Sequence, residues 1–105
     1  MKKTTTIKRD PTRRPTHPGA VLREDVLPQL QMTQAEFAAR LGVSRLTVSE
    51  ILHEKRSVTV DMAMRIGTLL GNGPGLWLRM QQAVDIWELQ GSGKYNKIEP
   101  VQIAA

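Results

Sequence analysis

Four side chains in the middle of the chain carry the donors, acceptors and apolar surface needed to read a base edge. Arg45, Leu46, Ser49 and Glu50 are offset by one, four and five, so on a helix they share a face. A guanidinium can donate two hydrogen bonds to guanine O6 and N7, and a carboxylate can accept one from cytosine N4. A hydroxyl can serve either way, and a leucine can pack on a thymine methyl. Around these four stand groups suited to phosphate. Gln34 and Ser44 open successive helices, where side chains and backbone N–H groups face outward, and Thr47, Lys55 and Arg56 flank the same region. Covalent chemistry has no comparable set. With no cysteine there is no disulfide, thiolate metal site or cysteine nucleophile, and the two histidines, His17 and His53, are not clustered at a metal-ligand spacing. No glycine-rich phosphate loop is present. The expectation is a binding protein without enzymatic activity, cofactor or metal.

Two short amphipathic helices must position these residues. Thr33 can cap the first, and Glu36 completes a capping box. Phe37, Ala38 and Leu41 form its buried stripe, and Gly42 can end it in the left-handed conformation. Val43 fills the angle, and Ser44 caps the second helix, whose buried face is Val48, Ile51 and Leu52. An ordinary helical hairpin with a solvated polar face would use similar spacing. The caps, the Gly-Val-Ser turn and the basic balance of the chain favour a helix-turn-helix, with the second helix directed at the major groove.

The run from Thr33 to Leu52 resembles the phage repressor and Cro superfamily of helix-turn-helix proteins. With its flanks it resembles one branch of that superfamily, the HigA-type antitoxins. Their His-Pro-Gly-x-x-Leu-x-Glu opening is matched by His17, Pro18, Gly19, Leu22 and Glu24, with Ala20 where the family often has Glu. Where related sequences have Asn-Gly-Lys-Arg, Lys55 and Arg56 keep the pattern, while His53 and Glu54 depart from it. A glycine in that place permits positive φ. Glu54 must either bear the strain or end the helix differently. Leu76-Trp77-Leu78, Gln81 and Asp85-Ile86-Trp87 match the family's Trp-Leu helix, with Gly75 and Met80 as departures. The likeness extends from about Arg14 to Glu88. It implies a repressor that also binds and neutralises a small mRNA-cleaving ribonuclease toxin and represses their shared operon.

The remainder of the chain supplies a core and an arm. A length of 105 residues is one small domain, and 40% hydrophobic with only 4% aromatic residues means a core of Leu, Val, Ile, Ala and Met. Net charge is +5, which favours an anionic partner. Residues 1–15 carry Lys2, Lys3, Lys8, Arg9, Arg13 and Arg14 against Asp10, and Pro11 and Pro15 interrupt any helix. This stretch reads as a flexible basic arm, with a sharper alternative in which it follows the phosphate backbone or enters the minor groove. A first helix runs from Thr16 to Leu27, with His17 in a capping role and Pro28 as its stop. Thr59 caps a helix through Leu70 with Asp61 in its first turn, Gly71-Asn72-Gly73 turns, and Pro74 opens the longest helix, through Gln90.

On that last helix Trp77, Met80, Val84 and Trp87 make the seam for burial. Leu76, Ala83, Ile86 and Leu89 widen it beyond what one neighbouring helix covers, so they are the expected homodimer interface. Gly91-Ser92-Gly93 breaks the helix. Tyr95, Ile98, Val101 and Ile103 in the tail either pack on a partner subunit or stay loose. The expected architecture is all-α: a five-helix repressor-like domain containing a helix-turn-helix over residues 16–90, a flexible N-terminal arm (1–15) and a C-terminal tail (91–105). No apolar run is long enough for a membrane span and no apolar segment follows the basic N-terminus, so a cytoplasmic protein is expected. The expected partners are a palindromic double-stranded DNA operator, a second copy of the chain and the ribonuclease toxin. A stand-alone repressor without a toxin and an interaction adaptor that does not bind DNA remain the alternatives.

Overall fold

A computed structural model of the protein describes residues 12–103; the basic stretch from Met1 to Pro11 and the last two residues lie outside the described residues. The described residues form five helices and no strand. Helix α1 spans residues 18–30, with its middle turn, Leu22–Val26, in the wider π register. Helices α2 (Gln34–Leu41), α3 (Arg45–Leu52), α4 (Val60–Leu70) and α5 (Gly75–Gln90) follow.

Helix α1 departs from expectation at its end. Pro28 does not stop it: the helix continues to Leu30 and ends at Gln31, which takes the left-handed conformation with φ 56°. A proline inside a helix lacks an N–H and crowds the carbonyl four residues earlier. The π turn relieves both problems by opening the register just before it, where the Leu27 N–H donates to Leu22 O, five residues back. At the other end, His17 caps the helix by accepting the Gly19 N–H on Nδ1 at 2.9 Å. The last helix begins at Gly75, with Pro74 in the capping position.

The local signals around the central motif hold. Thr33 Oγ1 accepts the Glu36 N–H and the Glu36 carboxylate accepts the Thr33 N–H, which completes the capping box. Gly42 ends α2 with φ 75°. Arg65 on α4 adds a second device, donating to Leu41 O at 2.9 Å while its Nε holds Asp61. Ser44 accepts the Thr47 N–H and Thr59 accepts the Met62 N–H, so α3 and α4 have side-chain caps.

The core sits where the five helices converge. Leu22 from α1, Phe37 and Leu41 from α2, Val48, Ile51 and Leu52 from α3, Met62, Ala63 and Ile66 from α4 and Trp77 from α5 are all buried. Helix α1 packs on both α3 and α5, α4 on both α2 and α5, and α2 on α3, so α3 is held by α1 and α2. Close approach at Gly19 lets α1 reach α3: a Cβ there would lie 1.8 Å from Ile51 O. The Trp77 indole N–H donates to Asn72 Oδ1, which satisfies its only polar group inside the core.

Candidate nucleic-acid interface

Helix α3 turns its Val48, Ile51 and Leu52 side into the core and presents the opposite side outward. Arg45 and Leu46 at its start are exposed, Leu46 to 65%. An exposed leucine of that degree beside an arginine at a helix start is surface available for a base edge. Ser49 and Glu50, one turn on, are half-buried at the edge of the same face. Thr47 is half-buried and its hydroxyl lies 2.8 Å from Ser44 Oγ, so the two hydroxyls brace the helix start. Gln34 stands half-buried at the first turn of α2.

The loop after α3 carries the remaining cations. Lys55 and Arg56 are exposed. Arg56 folds back onto α3, with Nε 2.8 Å and Nη2 2.5 Å from Glu50 Oε1. The structure therefore pairs Glu50, a candidate base reader, with Arg56, a candidate phosphate contact, and leaves Arg45, Leu46 and Lys55 outward. His53 Nδ1 lies 2.7 Å from Ser49 O and closes the last turn of α3.

Glu54 takes the left-handed conformation, with φ 63°. It occupies the place just past the helix end where glycine is favoured: the next N–H, Lys55, returns to Glu50 O and the Glu54 N–H to Ile51 O. Holding a glutamate there costs on the order of 1 kcal/mol or more. Its carboxylate is the hub of an ion-pair network. Arg14 donates to it at 2.7 Å and also to Glu88 on α5 at 3.2 Å, while Arg23 on α1 donates at 3.4 Å and at 2.6 Å to Leu52 O, the last carbonyl of α3. The hydrogen bond from Arg14, opposed by burial and aided by Arg23, holds the Glu54 carboxyl below the usual carboxylate range. Pro15 is buried beside this network. The chain is thus tied to the domain from Arg14 onward.

Buried polar groups complete the frame. His17 is 4% exposed, and burial pushes its imidazole below the ordinary histidine range. Gln81 on α5 is buried too; its carbonyl accepts the Val58 N–H at 2.8 Å and its amide donates to Asp85 at 3.0 Å. The loop from 53 to 58 is therefore pinned at one end through Glu54 and at the other through Gln81. Sequence reasoning missed both anchors. A glutamine inside the Trp77, Val84 stripe was a usable signal for the second. The partners of Glu54 lie 31 and 40 residues away and leave no local trace.

On α5 the candidate interface residues Leu76, Ile86 and Leu89 are exposed and Ala83 is half-buried. Tyr95, Ile98, Val101 and Ile103 beyond it are exposed as well. Among the described residues, no helix is long and apolar enough to cross a membrane.

Known proteins share this arrangement. Residues 22–77 match the helix-turn-helix family. The antitoxin HigA-1 of Vibrio cholerae is 36% identical over 76 residues, covering 72% of this chain and 71% of HigA-1. A solved protein from Nostoc punctiforme, described as an antidote of a plasmid maintenance system, is 46% identical, with a TM-score of 0.74 over 86% of this chain and all of that one. The Pseudomonas aeruginosa antitoxin HigA, solved with the higBA promoter, is 32% identical, with a TM-score of 0.75 over 85% of this chain and all of its own.

Proposed function

From the premise that this chain belongs to the helix-turn-helix family, in the branch that holds the HigA antitoxins, we propose that it is a sequence-specific DNA-binding repressor and the antitoxin of a toxin–antitoxin pair. The observation that carries DNA binding is the exposed Arg45–Leu46 start of α3, set on a helix whose opposite side is fixed in the core. In this reading Arg45, Leu46, Ser49 and Glu50 meet base edges. Gln34, Ser44, Thr47, Lys55 and Arg56 meet phosphates. Two copies associate through Leu76, Ala83, Ile86 and Leu89 and present two reading helices to a palindromic operator.

The toxin arm of the proposal rests on kinship with HigA antitoxins, and its partner is an mRNA-cleaving ribonuclease whose operon this protein represses. Selection from a pool of random duplexes tests DNA binding, followed by titration of the best duplex and a scrambled one across salt. The proposal predicts a palindromic optimum and an affinity loss of roughly a thousandfold between 50 and 200 mM salt for a dimer touching about six to ten phosphates. Equal affinity for selected and scrambled duplexes would leave the adaptor alternative standing. Co-expression with the product of the adjacent reading frame tests the toxin arm: growth arrest by that product alone and rescue by this chain are expected.

A further inference from the structure

We infer that Glu54 is a positioning residue of the DNA-binding surface: clamped between Arg14 and Arg23, its carboxylate fixes the loop that delivers Lys55 and Arg56 to the phosphate backbone. The inference rests on the DNA-binding reading above. Three observations carry it. First, Glu54 sits in the left-handed conformation at a place where glycine would be free of strain, so something other than backbone geometry accounts for a glutamate there. Second, its carboxylate is held at 2.7 Å by Arg14 and at 3.4 Å by Arg23, and Arg23 also caps the reading helix at Leu52 O. Third, Arg14 continues to Glu88, so a single chain of ion pairs ties the end of α3 to both α1 and α5. Lys55 and Arg56 follow directly, and the loop's far end is fixed by Gln81 at Val58. A pinned loop backbone reduces the entropy lost when its cations engage phosphates.

The sign of the effect separates this role from simple electrostatics. Glu54 places a negative charge next to a surface that meets phosphates. If the carboxylate were only a charge, its removal would tighten binding, although Arg14 would still be paired with Glu88 and Arg23 with Glu24. If it positions the loop, its removal weakens binding despite the more favourable charge.

The experiment compares wild type, Glu54→Gly and Glu54→Gln on the duplex selected by wild type and on a scrambled duplex of equal length, with thermal unfolding recorded for each. Glu54→Gly suits the backbone, so the fold survives, and Glu54→Gln keeps the side-chain length without the charge. The expected result is a melting temperature near that of wild type for Glu54→Gly, roughly tenfold weaker binding to the selected duplex, and a salt slope flatter by about one to two as phosphate contacts loosen. Glu54→Gln should fall between the two. Unchanged or tighter binding by both variants, with an unchanged slope, overturns the inference while leaving DNA binding intact. Absence of any preference in wild type itself overturns the parent reading, and this inference with it.

Discussion

Individual residues of the proposed reading face are assigned different kinds of contact, and their substitutions should separate. Arg45 is exposed at the start of α3 and no carboxylate is paired with it among the described residues, so its fork is free for a guanine. Arg45→Ala should cost roughly 1–3 kcal/mol on the selected duplex and far less on a scrambled one, read by titration against every single-base change in one half-site. Uniform weakening across all sequences would place Arg45 on phosphate instead. Glu50 behaves in the opposite direction. It holds Arg56 in the free protein, so Glu50→Ala releases a guanidinium and removes a negative charge from the face. Scrambled DNA should then bind more tightly, while preference relaxes at one symmetric pair of positions. His17 gives a pH signature. Burial disfavours its charged ring, and because Nδ1 accepts the Gly19 N–H, a proton there would also set two donors against each other. A folded-state pKa below the unfolded value near 6.5 means that this stability is present above about pH 6.5 and is lost as pH falls from there through the folded pKa. Glu54, also depressed, adds a second loss below about pH 4.3. His17→Asn, which can still cap, should stay within about 1 kcal/mol of wild type at pH 8 and abolish only the upper step in melts taken from pH 4 to 8.

At the scale of elements, the parts of the fold set by short-range chemistry were legible in the sequence. Thr33 with Glu36, Gly42, Ser44 and Thr59 each act on backbone groups within a few residues, and each appears where its spacing placed it. Pro28 does not end helix α1 because a proline signals a stop only when the preceding turn keeps the α register, and nothing local announces the π turn that accommodates it. The anchors of the loop after α3 were hidden for a different reason: Arg14, Arg23 and Gln81 meet it only after the helices have packed. Of the candidate site, the exposed Arg45–Leu46 pair was legible from periodicity, whereas the Glu50–Arg56 pairing depends on how the loop after α3 folds back on the helix. The crossing of α1 and α3 offers a direct check on this packing. A Cβ at Gly19 would fall 1.8 Å from the Ile51 carbonyl, and backbone cannot yield as a side-chain tip can. Gly19→Ala should therefore destabilise the domain by about 3 kcal/mol or more in urea unfolding, a large cost for a single methyl. A loss below about 1 kcal/mol would show that α1 shifts freely over the reading helix.

For the molecule as a whole, the distribution of apolar surface argues for association. The core is closed around Trp77, Phe37 and Leu22, yet Leu76, Ile86 and Leu89 remain exposed along α5, and Tyr95, Ile98, Val101 and Ile103 extend the same character into the tail. A palindromic duplex repeats its half-sites about 34 Å apart, one helical turn, which a symmetric pair of reading helices can match and one copy cannot. Covering α5 with a second α5 would serve both needs. Sedimentation at micromolar concentration should accordingly give twice 11.7 kDa. Ile86 is 54% exposed, so Ile86→Glu should leave the melting temperature of the isolated domain nearly unchanged while placing a charge in the contact. The variant should sediment as a monomer and lose on the order of a hundredfold on the full palindrome, because the second half-site is no longer met intramolecularly. On a duplex with a single half-site, wild type and variant should bind alike. If Ile86→Glu remains dimeric, the contact lies elsewhere on the surface; if wild type is monomeric at micromolar concentration and still prefers the palindrome, the two copies meet only on DNA.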